Sequence, residues 1–214
     1  MAANAVPTTR VRLTQQQRSA ATREALIDAT IECLMDVGYE RATTADISER
    51  AGLSRGAHLH HFQTRAALVA AAVKVMVQRG LDDIARGVRR LPQDERRHAA
   101  ALDLFWRLFN DRLFHVMVEL SVHGRTDPQL RAELDPIKQM AGHESPGHES
   151  MPRSLRVAFA GDADDHRLDD LISLIVAATR GLALMKLIEP SREINARWEA
   201  CRAQLLALLD QRGR

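Results

Sequence analysis

The sequence predicts an all-α protein: an N-terminal three-helix head with a helix-turn-helix, then a C-terminal helical bundle, about nine helices in total. Two observations carry this. Apolar residues make up 45% of the chain and aromatics only 4%, in a background rich in Ala, Leu and Arg with no alternating β-branched runs. Apolar residues also recur at helical spacing, in segments that open on threonine or serine caps and stop at Gly or Pro. At 214 residues the chain is long enough for one large or two small domains. The expected division is an arm over 1–13, a head over 14–64 and a bundle over 65–214.

Charge and cysteine content narrow the class. A formal charge of +2 is too near zero to argue for nucleic acid by itself. Position says more: Arg10, Arg12, Arg18 and Arg23 lead the chain, and Arg41, Arg50, Arg55 and Arg65 surround one short motif. Cys33 and Cys201, the only cysteines, lie on separate apolar helical faces and fit a reducing compartment. The N-terminus lacks the apolar core of a signal peptide. The longest apolar run, Leu171 to Ile188, is broken by Arg180 and Lys186, so it is no membrane span. A soluble, cytoplasmic protein is expected.

Residues 1–13 have no periodicity; they form either a basic arm able to reach DNA through Arg10 and Arg12, or a tail without fixed contacts. The first helix runs from about Thr14 to Val37, with Leu26, Ala29, Cys33 and Val37 on an apolar face beside Ile27, Ile31 and Leu34. Glu24, Asp28, Glu32 and Asp36 fall four apart on another face, which reads as a solvated stripe pointing away from any nucleic acid. Gly38 ends this helix, and Tyr39 packs back onto the head.

The organising stretch is Thr43 to Phe62. Thr43 is an N-cap, with Asp46 three residues on placed to reach the cap's own N–H. Ile47 and Ala51 make a small apolar stripe. Gly52 supplies the left-handed residue that ends the helix, and Leu53 is an apolar peg. Ser54 offers a cap to a second helix, Arg55 to His61, which has little core duty and many donors, as a major-groove reader needs.

Thr44, Asp46, Ile47, Ala51, Gly52, Leu53, Ser54, Gly56, His61, Phe62, Arg65 and Leu68 carry a family resemblance. With Thr44 ahead of it, the run from Asp46 matches D-I-A-x-x-A-G-V-S-x-G-x-x-Y-x-H-F followed by x-x-K/R-x-x-L, and the stretch closely resembles the TetR-type regulators, whose segment opens on threonines, over residues 20 to 70. The resemblance implies a head that binds double-stranded DNA at a palindromic operator through Thr44, Ser54, Arg55, Gly56, Ala57, His58, Leu59, His60 and Arg65. Arg55 is expected to read a base, since Arg to guanine is the commonest specific contact. Ala57 fits a thymine methyl, and His60 a base or phosphate. Thr44 and Arg65 would hold the backbone. Where the family has a tyrosine that often touches a phosphate, this chain has Leu59; that contact is missing or falls to His58 or His60.

Thr64 caps a long helix from Arg65 to about Arg90, which joins head to bundle as a control lever and stops at Leu91-Pro92. Two helical segments between Asp94 and Gly124, parted at Asn110-Asp111, hold most of the aromatics. Phe105, Trp106, Phe109, Phe114, Met117 and His123 read either as core or as the lining of a pocket for a small-molecule effector, with Asp103, Asn110 and His115 as inward polar groups. Glu119 to Leu134 resembles a recurring stretch in one branch of the same family, and implies a further helix from Pro128 to about Met140.

Gly142 to Ser150 reads GHESPGHES. His143, Glu144, His148 and Glu149 invite comparison with H-E-x-x-H, but these histidines are five apart with Pro-Gly between them, so they cannot share a helix face. A surface loop with no metal is expected, and no cofactor. The last helices run from about Asp164 to Ile188 and from Ser191 to about Gln211. Leu171, Ile175 and Leu182 on the first, with Ile194, Trp198, Cys201 and Leu205 on the second, form seams that either complete the local core or pair with a second subunit. The resemblance implies the pairing, a homodimer with two reading heads.

An enzyme is not expected, because no nucleophile elbow, phosphate loop or paired-histidine helix is present. A helical protein-interaction adaptor is the remaining alternative, and it would show no salt-sensitive DNA affinity.

Overall fold

The computed structural model describes residues 14–54, 56–140, 157–159 and 166–212. The expected arm, Arg55 and the GHESPGHES segment lie outside the described residues. Among those described there is no strand; the α-helices are α1 (Gln15–Arg41), α2 (Thr44–Arg50), α3 (Arg65–Arg89), α4 (Arg97–Phe109), α5 (Arg112–His123), α6 (Pro128–Met140), α7 (His166–Met185) and α8 (Ser191–Arg212), with a 3₁₀ turn over Ala57–His60. No helix among them is long and apolar enough to cross a membrane.

Local chemistry sets the boundaries. Thr14 and Gln17 form a reciprocal capping box at the start of α1, with bonds of 2.8 and 3.2 Å. At its far end Gly38 takes φ of 77°, so the helical path breaks there. Thr64 caps α3, its hydroxyl accepting from the N–H of Ala67 at 3.0 Å. Leu91-Pro92 follows its last turn, and a proline there cannot continue the helix.

The apolar core divides into two clusters. The first joins α1, α2 and the first half of α3 to Val116, Met117 and Leu120 of α5 and Leu130, Leu134 and Ile137 of α6. The second joins the far end of α3 to α4, α7 and α8, centred on Leu102, Phe105, Ile172, Ile175 and Trp198. The head therefore has no core of its own: the middle of the bundle is built onto it, and burial of that shared surface is what fixes α5 and α6 to α1 and α3. Val37, expected on the buried face of α1, is 37% exposed because it immediately precedes the break.

The acidic stripe of α1 is not merely solvated. Asp28 pairs with Arg79 of α3 at 3.3 Å, Glu32 with Arg50 at 3.7 Å, and Asp36 with Arg50 at 2.6 Å and Arg112 at 3.5 Å. These pairs are exposed and individually weak, but they tie α1 to α2, α3 and α5. The Arg50 hydrogen bond holds the Asp36 carboxyl below its usual range.

Candidate nucleic-acid interface

The reading unit is built on α2. The Thr43 hydroxyl accepts from the N–H of Asp46 at 3.2 Å and donates to its carboxylate at 2.5 Å. Asp46 thus takes the cap's hydroxyl, whereas the cap's N–H donates to the Arg41 carbonyl at 2.9 Å; the expected reciprocal box is not formed. Ile47 is fully buried and seats α2 on the head core. Gly52 has φ of 67°, a left-handed conformation that a side chain would strain, and it lets the Leu53 N–H return to the Ser48 carbonyl at 2.9 Å.

The second helix is shorter than expected. In place of the α-helix expected to run to His61, the described residues form one 3₁₀ turn, Ala57–His60, with Gly56 at its start and no side-chain cap. Ser54 does not cap it. A glycine at the entry and so short a span cannot sustain a longer helix, because nucleation must be repaid by propagation. The turn is closed by Phe62, 6% exposed, whose N–H donates to the His58 carbonyl at 2.7 Å. Arg23 lies 5.1 Å above the Phe62 ring.

The site residues expected from sequence fall into groups. Ser54, Gly56, Leu59 and His60 face outward, Leu59 with 62% of its surface exposed. Thr44 and His58 are half-buried, and the His58 Nδ1 has no hydrogen-bond partner among the described residues. Ala57 is placed only as the first residue of the turn. Arg65, expected to hold a phosphate, is engaged within the protein in this structure. Its guanidinium donates to the carbonyls of Ala42, at 3.0 Å, and Tyr39, and lies 4.0 Å over the Tyr39 ring. It ties the start of α3 to the end of α1.

Sequence reasoning missed the matching tie on the other side. The Glu119 carboxylate accepts from the N–H of Tyr39 at 2.7 Å, and His123 packs tilted against the Tyr39 ring, with centroids 5.0 Å apart. Arg112 donates to the Met35 carbonyl at 2.6 Å. Burial raises the pKa of the Tyr39 phenol, so the residue at the centre of this junction stays neutral. The one signal was a lone carboxylate inside the apolar run of α5.

The expected pocket residues do not line one cavity. Phe105, Phe109 and Phe114 pack into the second core, Phe109 edge-on to Phe114 at 5.3 Å. Trp106 stacks flat on Trp198 at 4.7 Å. Met117 belongs to the first core, and His123 to the Tyr39 junction. Aromatic rings satisfy one another's edges and faces, which fills the bundle interior. A groove of about 440 Å³ lies instead between α3, α4 and the start of α5, lined by Ile84, Leu104, Leu108, Asn110 and Leu113 among others.

The residues expected to form the interface seam lie against the chain's own core. Ile175, Ile194, Trp198 and Leu205 are buried in the chain's own core, with Leu171, Leu182 and Cys201 half-buried against it. The faces that α7 and α8 leave open carry Leu174, Ala177, Gly181 and Leu184 on one helix and Ala200, Ala203, Ala207 and Leu208 on the other. Both thiols have a pKa raised by burial, as structural cysteines do. Among the described residues no three potential ligands converge on a metal position.

Comparison with known proteins bears on this head directly. The family described as bacterial regulatory proteins, tetR family, matches residues 26–72. A helix-turn-helix-type transcriptional regulator of Mycobacterium bovis is 29% identical over 85% of this chain and 91% of its own length. The regulator CymR of Pseudomonas putida is 28% identical over 94% of this chain and 95% of its own. A TetR transcription regulator from Haloarcula marismortui shares the fold with a TM-score of 0.62, at 15% identity, over 88% of this chain and 98% of that one.

Proposed function

This chain is a TetR-type DNA-binding transcriptional regulator rather than an enzyme, and from that premise we propose that it is a homodimeric repressor of an inverted-repeat operator, released by a small, largely apolar effector. Residues 14–64 act as the reading head and 65–214 as the effector and dimerisation unit. In this reading Thr44, Ser54, Arg55, Gly56, His58, Leu59 and His60 meet the DNA, the outward ones in the groove and the half-buried ones along its wall.

The observation that carries the reading is the double tie at Tyr39. Arg65 at the base of the lever and Glu119 of the bundle both hold the end of α1, and a left-handed turn at Gly52 presents the reading turn a few residues on. A shift of α5 against α3 therefore moves the base of the head, which is the displacement that an effector must produce. Two heads are needed because one short turn provides few contacts; a two-fold pair would set them about 34–36 Å apart, one turn of DNA.

Selection of sites from random DNA, repeated with Arg55→Ala, tests the assignment of the reader. The expected outcome is a palindromic site for the parent protein and relaxed preference at one base pair per half-site in the variant, a loss of about 1–3 kcal/mol there. Unchanged preference at every position would place the reader elsewhere.

A further inference from the structure

The C-terminal bundle treats its cations in two ways. Arg202 of α8 makes a two-pronged pair with Asp103 of α4 at 2.6 and 2.9 Å, and Arg197 meets Glu189 at 2.8 Å. Arg180 and Lys186, in and just beyond α7, have no carboxylate within reach among the described residues. Each lies instead over a ring of α4, Arg180 at 6.0 Å from the centre of Phe109 and Lys186 at 4.7 Å from that of Trp106. The two rings are three residues apart, about 4.5 Å along the helix axis, so both charges flank one short aromatic stretch. The other face of Trp106 is closed by Trp198.

Both cations are half-buried, and burial lowers the pKa of each. Withdrawing a cation from water without a counter-charge costs free energy, and contact with a ring face recovers only part of it. Fold stability alone would favour a methionine or leucine at either position. A bound anion would supply the missing charge, and the guanidinium fork matches a carboxylate with two parallel hydrogen bonds.

We propose that Arg180 and Lys186 form the charge-recognising part of the effector site, so that the effector is an organic monocarboxylate bound beside the Phe109–Trp106 stretch of α4. This deepens the ligand-responsive reading above and rests on it. α4 packs on the far half of α3, where Ile84 and Val88 share its core, so a ligand drawn in beside α4 acts on the lever itself.

Trp106 and Trp198, the only tryptophans in the chain, both sit in the stack, so intrinsic fluorescence reports directly on it. The full-length protein is titrated with octanoate, benzoate, phenylacetate and phenyl phosphate, and with the matching amides octanamide, benzamide and phenylacetamide. Release of selected operator DNA is followed in parallel. At least one carboxylate is expected to change the fluorescence and bind at least about tenfold more tightly than its amide. Arg180→Met should weaken that binding by about tenfold to a hundredfold, the loss of one charge-assisted hydrogen bond, and Arg180→Lys by less. Lys186→Met, just beyond α7, gives a second and independent variant. All three should bind DNA like the parent.

The assignment is overturned if acids and amides bind alike, if binding survives both methionine variants, if the phosphate ester is preferred, or if no carboxylate binds a protein that still holds DNA. Release of DNA by the neutral amides would keep the ligand-responsive reading and sink the anion site. Carboxylate binding that leaves DNA affinity untouched would keep the site and sink that reading.

Discussion

Arg65 has the spacing of a phosphate contact, yet its guanidinium is turned inward to two carbonyls and the Tyr39 ring. An arginine held this way stabilises the base of the head. Arg65→Met should therefore lower the stability of the protein by about 1–3 kcal/mol, the cost of leaving carbonyls without their charged donor, as read by urea unfolding. The slope of DNA affinity against salt should stay as it was; a slope reduced by about one unit with unchanged stability would restore the phosphate role. Residue types at the head were legible because capping, the left-handed glycine and apolar pegs are local rules: Thr43, Ile47, Gly52 and Phe62 each do what their chemistry dictates. Arg65, Glu119 and Arg180 were not, since the partners of each depend on which distant helix packs beside it, and no local spacing encodes that.

At the level of elements, most helix positions followed from periodicity and stop signals to within a few residues, and the helix from Pro128 followed from the family resemblance. Two features escaped. The reading helix collapsed to a 3₁₀ turn because nothing caps it, and the seam on α7 and α8 turned inward because two apolar rows of a bundle helix look alike in sequence. The junction of α1 with α5 has a consequence for control. Glu119→Leu leaves the Tyr39 N–H without an acceptor in a part-buried position, which should cost about 1–3 kcal/mol, while Glu119→Gln retains an acceptor and most of the stability. If α5 transmits the effector signal through this bond, Glu119→Leu should also shrink the effector-induced loss of DNA affinity, measured by fluorescence anisotropy with and without ligand. Full release in that variant would show that the signal travels along α3 alone.

For the whole molecule, the reading needs a second copy. The outward faces of α7 and α8, with Leu174, Gly181 and Leu184 on one and Ala200, Ala203 and Leu208 on the other, are small and apolar in the way that close helix contacts require. A side chain added at Gly181 meets nothing within 4 Å in the single chain. Gly181→Arg should leave the fold intact and split the dimer, with a monomer mass in sedimentation and weaker binding to a two-half-site operator. A dimer that persists would move the interface to another face.

The most direct test of a dimeric, DNA-reading regulator is footprinting of the purified protein on the DNA flanking its own gene, at two salt concentrations, with the stoichiometry taken from the same samples. Protection of a palindromic site by two chains, weakening steeply as salt rises, is the expected result. Protection by a single chain, or binding indifferent to salt, would contradict the account.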